Sequence, residues 1–319
     1  MTTITELLTQ DLHLGDAQHS GALTVFPIFS GEPALEYLSF ADAQASGATV
    51  GELPGGASVN DLIVTNPTAL PVLLYDGEEV AGAQQNRTFD VSVLVAAGSK
   101  LQVPVSCVEA GRWDGSRHGE SFKSAPQAAY PSLRRSKNLA VRNRAMAGAD
   151  ARADQGEVWE QIAEMGDRMK VESDTGAMHD VFERHRDRLD EMCSAIERQD
   201  RQVGALVANG ERSVVDLVSR SDVWAALHGP LIQGYALDAI DATPTEAPPV
   251  ESSDVGHWLE TILGSQPIRR PAVGEGTQLH FQNAACAGGG LEHEGELIQL
   301  SAFRTEQQAT RIGRPSRRR

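Results

Sequence analysis

The spacing of apolar and polar positions divides the chain into a strand-rich first part and a helical middle. Leu23–Ile28, Leu62–Thr65, Val72–Tyr75, Arg87–Val95 and Leu101–Glu109 are short runs rich in β-branched residues, bounded by Gly, Pro, Asn and Asp, which predicts strands. Pro33–Ala45 reads as a helix among them. Between Arg117 and Ala153 the hydrophobic rhythm disappears and Pro126 and Pro131 interrupt, which predicts a long loop. Beyond it Val158, Ile162, Met165 and Met169 step by four, three and four, and Phe182, His185, Leu189, Met192 and Ile196 step by three and four. This is the pattern of a helical hairpin with facing apolar stripes.

Val203–Ala208 and Arg212–Leu217 then flank Asn209-Gly210, whose tolerance of positive φ suits a type I′ hairpin turn. Ser221 is placed to cap a helix running to about Ile240, in which Pro230 predicts a kink or break. Thr243 to Pro249 holds three prolines and reads as a linker. After it Ser252 or Ser253 caps a short helix to Gly264, and strands Gln278–Cys286 and Glu296–Phe303 surround Ala287-Gly-Gly-Gly290. The order is that of an α+β fold: a mainly antiparallel β-rich N-terminal part, a central helical hairpin, further β-hairpins and helices, and a disordered Arg-rich C-terminal tail. The units expected are a β-rich part over 1–115, a basic loop over 116–153, and a helical hairpin with β-hairpin and helix over 154–242. A linker over 243–250, a helix with the C-terminal β-hairpin over 251–304 and a basic tail over 305–319 complete the chain.

Composition narrows the classes of function. With 319 residues, 40% hydrophobic and 23% charged, the chain can bury a core. No apolar run approaches the roughly 18 residues of a membrane helix, and the first residues lack a basic stretch leading into an apolar one, so a cytoplasmic protein without membrane contact is expected. The net charge is −16, yet residues 311–319 contain five arginines, which leaves 23 bases against 44 acids in residues 1–310. Such a body repels a phosphate backbone, so nucleic-acid binding is expected nowhere except through the basic tail, which itself reads more simply as a solvated end. A second basic island holds eight Lys or Arg residues between Arg117 and Arg152, Arg134 and Arg135 among them, against two acids, and can focus an anion locally. Cys107, Cys193 and Cys286 lie far apart without CxxC spacing, so free thiols are expected rather than disulfides or a cysteine zinc site.

The candidate chemistry gathers in Asp76-Gly-Glu-Glu-Val-Ala-Gly-Ala-Gln-Gln-Asn-Arg87. Arg87, Phe89, Val91, Val93 and Val95 share one strand face, and Leu101, Val103, Val105, Cys107 and Glu109 share another. Joining them through Ala96–Lys100 sets Val95 against Leu101 and Arg87 against Glu109. An arginine and a glutamate at the end of an apolar face either pair with each other, closing the core, or serve a ligand, because a lone buried charge costs several kcal/mol. Gln84, Gln85, Asn86, Arg112 and Trp113 add donors, acceptors and an aromatic surface suited to a base, a ribose or a phosphate.

Gly77-Glu-Glu, Gly82-Ala-Gln-Gln-Asn-Arg87, Ala97-Gly98-Ser99 and Pro104-Val-Ser-Cys-Val-Glu-Ala-Gly-Arg-Trp113 together resemble the prokaryotic ARG and Rhodanese-Phosphatase-superfamily-associated protein family, in which ARG stands for ADP-ribosylglycohydrolase. The resemblance is clearest over residues 70–115 and continues more weakly through Gln155-Gly-Glu-Val-Trp159 and Gln202-Val-Gly-Ala205. It departs at Gln84, where the family pattern carries a lysine in many members. What it implies is an association with enzymes of ADP-ribose and phosphate chemistry rather than a defined activity.

Two readings follow. In the first, Gln85, Asn86, Arg87 and Arg112, helped by Arg134 and Arg135, bind a nucleotide or ADP-ribose-like anion, with Glu109 or Glu78 as acid or base if chemistry occurs. In the second, the cluster only orders the core of a non-catalytic interaction or assembly protein. A homodimer suits either. The identity of any cofactor is unknown from the sequence. Cys107 would be a nucleophile only beside a base, and on an apolar strand face it reads first as a small buried hydrophobe. His179 and His185 are six apart, unlike the i, i+4 pair of a zinc helix, so no metal site is expected.

Overall fold

The structure, a computed structural model, describes residues 2–31, 33, 35–209, 212–242 and 252–305. The chain is α+β, and among the described residues three sheets carry it. The largest is antiparallel and runs in the order His13–Leu14, Leu23–Phe29, Gln202–Ala208, Val214–Val218, Glu296–Arg304, Cys286–His293, Thr277–Gln282, Ile268–Pro271, with Gln18–Ser20 also on Leu23–Phe29. A second sheet orders Lys123–Ala128, Glu78–Ala81, Arg87–Phe89, Lys100–Cys107, Asp61–Thr65 and Thr49–Gly51, again antiparallel. In the third, Val93–Val95 pairs antiparallel with Val72–Leu74, whose other neighbour, Leu38–Ser39, is parallel to it.

Three buried clusters follow from these faces. Phe40, Val64, Leu74, Val80, Phe89, Val103, Val105 and Phe122 fill the space under the two smaller sheets. Trp224, Tyr235, Leu133, Ile162, Met165, Phe182 and Leu189 pack the helices against the large sheet, and Trp258, Leu259 and Ile262 of the Ser252–Leu263 helix are buried with Phe26, Leu206, Val215 and Leu300. No described helix is long and apolar enough to cross a membrane.

Several expectations need correction. Residues 117–153 are not a loop: they hold the strand Lys123–Ala128 and the helix Pro131–Met146. Pro131 opens that helix at a position whose missing N–H has no intrahelical partner anyway, and Asp238 accepts hydrogen bonds from Ser132 N and Ser132 Oγ at 2.8 Å each. Its inward stripe is Leu133, Arg134, Lys137, Val141 and Ala145, so two buried cations stand where the apolar rhythm needs hydrophobes. The helix expected over Pro33–Ala45 is, in its described part, the short strand Leu38–Ser39 and the helix Phe40–Ala45, where Ser39 Oγ accepts from Asp42 N. The second arm of the hairpin divides into Met178–Arg184 and Arg186–Ser194 because His185 leaves helical geometry.

Ser221–Asp241 is one helix running through Pro230, with Arg220 rather than Ser221 at its N-cap. The Asn209 connection is longer than a two-residue turn, since Val207 pairs with Val214, and Gly210 lies outside the described residues. Ala287-Gly-Gly-Gly290 belongs to the strand Cys286–His293 rather than to a loop. A Cβ on Gly288 would stand 2.5 Å from Ser301 O and 2.3 Å from a Phe281 ring carbon, so the glycines mark close packing inside the sheet. The linker over 243–250 and the tail beyond Thr305 lie outside the described residues.

The hairpin register also differs. Phe89 pairs with Val105, Thr88 with Ser106 and Arg87 with Cys107, two residues away from the expected pairing. Asp90 to Ser92 interrupt the strand, because Asp90 accepts from Ser106 Oγ and Ala153 N and pairs with Lys137. Val93–Val95 thereby joins Val72–Leu74, while Lys100–Pro104 joins Asp61–Thr65. A slip of two leaves every side chain on its face, so the apolar alternation is equally satisfied by both registers.

Candidate functional site

Arg87 and Glu109 therefore do not face each other, and no ion pair joins them. Arg87 stands opposite Cys107 at the end of the apolar face that carries Phe89 and Val105, with 0% of its surface exposed. Its contacts are thin for a buried guanidinium. Nη1 donates to Asn86 O at 3.4 Å and Nη2 to Ser58 O at 3.5 Å, Nε has no partner among the described residues, and the Trp113 ring lies over it at 5.9 Å. Burial lowers its proton affinity, opposed by Cys107 and the negative charge of Glu52.

Glu52, which sequence reasoning missed, is the second member. It is 6% exposed, and neither carboxylate oxygen makes a hydrogen bond of normal geometry, although the Gln84 backbone N–H and the Arg87 charge act on it. Burial raises its pKa above the ordinary carboxylate range, with Arg87 acting in the opposite direction. Gln84 places Nε2 3.0 Å from His118 Nδ1 and leaves Oε1 without a partner. Gln85 donates Nε2 to Glu109 O at 3.0 Å, and its Oε1 is likewise without a partner. Glu52 Oε1 and Oε2, Gln84 Oε1 and Gln85 Oε1 are thus buried acceptors without a hydrogen-bond partner among the described residues, Glu52 acting on Arg87 through its charge and Gln84 and Gln85 preceding Arg87 in the chain. Trp113, half exposed, forms the outer surface.

The other half is closed. Glu109 pairs with Arg112 Nη2 at 2.7 Å and accepts from Asn86 N at 3.2 Å and Thr175 Oγ1 at 3.1 Å. Arg112 also donates to Ala83 O at 2.7 Å and to Asn86 Oδ1 at 3.0 Å, so it clamps the 82–86 turn. Gly111 makes this possible: its N–H donates to Thr175 O, and a Cβ there would stand 2.9 Å from Thr175 Cα.

The remaining sequence candidates lie elsewhere. Glu78 accepts from Tyr75 N at 2.7 Å, and burial, reinforced by Asp76, raises its pKa to about 8. Its neighbour Glu79 is the one beside the cluster: burial raises it to about 8, Gln127 Nε2 donates to it at 2.7 Å, and Glu109 adds to the shift. Strand alternation separates the two glutamates, a signal present in the sequence. Arg134 is held bidentately by Asp216 at 2.7 Å, with Asp76 at 3.1 Å and Tyr75 and Tyr235 donating to the same Asp216 carboxylate. Arg135 bonds Arg304 O at 3.4 Å. Neither belongs to the Arg87 cluster. Cys107 is buried and burial raises its pKa, the opposite of an activated thiol. Among the described residues no group of three His, Cys, Asp or Glu side chains is placed to hold a metal ion.

Set against known proteins, residues 11–303 match the sequence profile described as ARG and Rhodanese-Phosphatase-superfamily-associated Protein domain. No curated protein and no solved structure matches the chain.

Proposed function

The chain belongs to the ARG and Rhodanese-Phosphatase-superfamily-associated Protein family, and from that premise we propose that it binds a ribose-bearing anion, ADP-ribose-like in character, at the Arg87 cluster. One observation carries the reading: among the described residues Arg87 is fully buried without an ion pair, and Glu52, Gln84 and Gln85 keep buried acceptor oxygens that no donor meets. Leaving such groups unengaged costs free energy that a ligand with complementary groups restores. The acceptors Glu52, Gln84 and Gln85 call for hydroxyl donors, which a ribose supplies. The guanidinium calls for an anionic oxygen, and Trp113 offers a stacking surface for a base.

In this reading Arg112 and Glu109 hold the 82–86 turn in shape, and proton transfer, where the ligand reacts, falls to Glu52 rather than to Glu109 or Glu78. The closed Glu109–Arg112 half supports the alternative in which the cluster is structural. Thermal unfolding with ADP-ribose, NAD and ribose 5-phosphate separates the two. At about a hundredfold excess over Kd a bound ligand adds about 2.7 kcal/mol of stability. ADP-ribose is expected to raise Tm, and Glu52→Gln and Trp113→Ala are expected to abolish the rise. No rise with any of the three ligands would return the cluster to a structural role.

A further inference from the structure

A second concavity shares no lining residue with the Arg87 cluster. It is a cleft of about 470 Å³ between the C-terminal end of the Pro131–Met146 helix, the Lys100–Cys107 strand and the Ile268–Pro271 edge of the large sheet. Such a volume suits a small molecule. Gln278 and His280 line it from one face of their strand, and Arg270 pairs with Gln278 on the neighbouring strand. His280 is 2% exposed and neither ring nitrogen has a hydrogen-bond partner among the described residues. Gln278 is 5% exposed, donates to Gly290 O and leaves Oε1 without a partner.

The chemistry of these groups differs from that of the Arg87 cluster. Burial and the charges of Arg142 and Arg270 lower the His280 pKa to about 4, so at neutral pH its ring presents one donor and one acceptor. Beside the Gln278 oxygen this makes a donor–acceptor edge of the kind a nucleobase matches. Pro104, Ala151, Pro271 and Val273 supply small apolar walls that a flat ring can fill. Of the two arginines that line the cleft, Arg152 is engaged by Asp61 at 2.5 Å, whereas Arg270 donates Nε to Ala145 O at 3.2 Å and Nη1 to Arg269 O at 3.1 Å, both backbone carbonyls. A guanidinium whose charge is not met by a carboxylate suits a phosphate group.

We propose that this cleft is a second binding site, taking a nucleoside monophosphate with its phosphate at Arg270 and its base edge on His280 and Gln278. The test is calorimetric titration of AMP, GMP, CMP and UMP into the Trp113→Ala protein, which lacks the stacking surface proposed for the Arg87 cluster, and into the same protein carrying Arg270→Ala. Arg270 is exposed and its side chain bonds backbone carbonyls of Ala145 and Arg269, so its removal is expected to leave the fold intact, which thermal unfolding of the variant checks. At least one monophosphate is expected to bind one to one, at least tenfold more tightly than inorganic phosphate, and Arg270→Ala is expected to weaken it at least tenfold. No heat with any of the four, equal affinity for inorganic phosphate, or binding indifferent to Arg270→Ala would overturn the proposal.

Discussion

Arg87 and Arg134 are both fully buried arginines, and their surroundings differ in kind. Arg134 has a bidentate carboxylate, a second carboxylate and two aromatic faces, which is how a protein fixes a cation permanently. Arg87 has two long bonds to carbonyls and an aromatic cover. The buried glutamates allow a test at this scale. Glu78 and Glu79, held near pKa 8 against an ordinary value of 4.5, stay protonated in the folded chain at pH values where the unfolded chain has lost the proton. Their contribution to stability is complete below about pH 4.5 and is lost as pH rises through about 8. Denaturant unfolding between pH 5 and 8 is therefore expected to show a component of declining stability, of the order of a few kcal/mol for each carboxyl, that Glu78→Gln with Glu79→Gln flattens. An unchanged slope in that double variant would mean that both carboxyls ionise inside the fold.

Among the elements, the Pro131–Met146 helix shows how buried charge hides secondary structure. Its inward positions 134, 137, 141 and 145 keep helical spacing, but Arg134 and Lys137 remove the apolar signal on which periodicity depends. Lys137 is held by Asp90 at 3.2 Å, Thr88 Oγ1 at 2.5 Å and Phe89 O at 3.0 Å. Lys137→Met is expected to cost roughly 3–5 kcal/mol, because it strands Asp90, and adding Asp90→Asn should recover part of the loss. A full loss in both single and double variants, measured by urea unfolding, would show that the pair is not the source. The short apolar strands Leu23–Phe29 and Asp61–Thr65, bounded by turn residues, were legible in the sequence, as was the stripe Val158, Ile162 and Met165. The register of Arg87–Phe89 was not, since alternation fixes it only to within two residues and the Asp90 break depends on partners distant in sequence. The same limit concealed Glu52, which meets Arg87 only through tertiary packing.

Taken as a whole, the chain brings loops from separate parts of the sequence to the end of the core beneath the two smaller sheets, and the Arg87 cluster forms where they meet. The motif from Gly82 to Trp113 was readable as a constellation. Its division into a closed half around Glu109 and Arg112 and an unengaged half around Arg87 and Glu52 is a property of the folded molecule. The acidic body disfavours anions at a distance, so a ligand held here depends on local groups, with Trp113 at the surface. Tryptophan emission on addition of ADP-ribose, excited where the adenine does not absorb, reads that contact directly. The account predicts a saturable change in emission in the native chain that Trp113→Phe eliminates while the fold is retained. A native chain whose emission does not respond, or a response of equal size in Trp113→Phe, would contradict it.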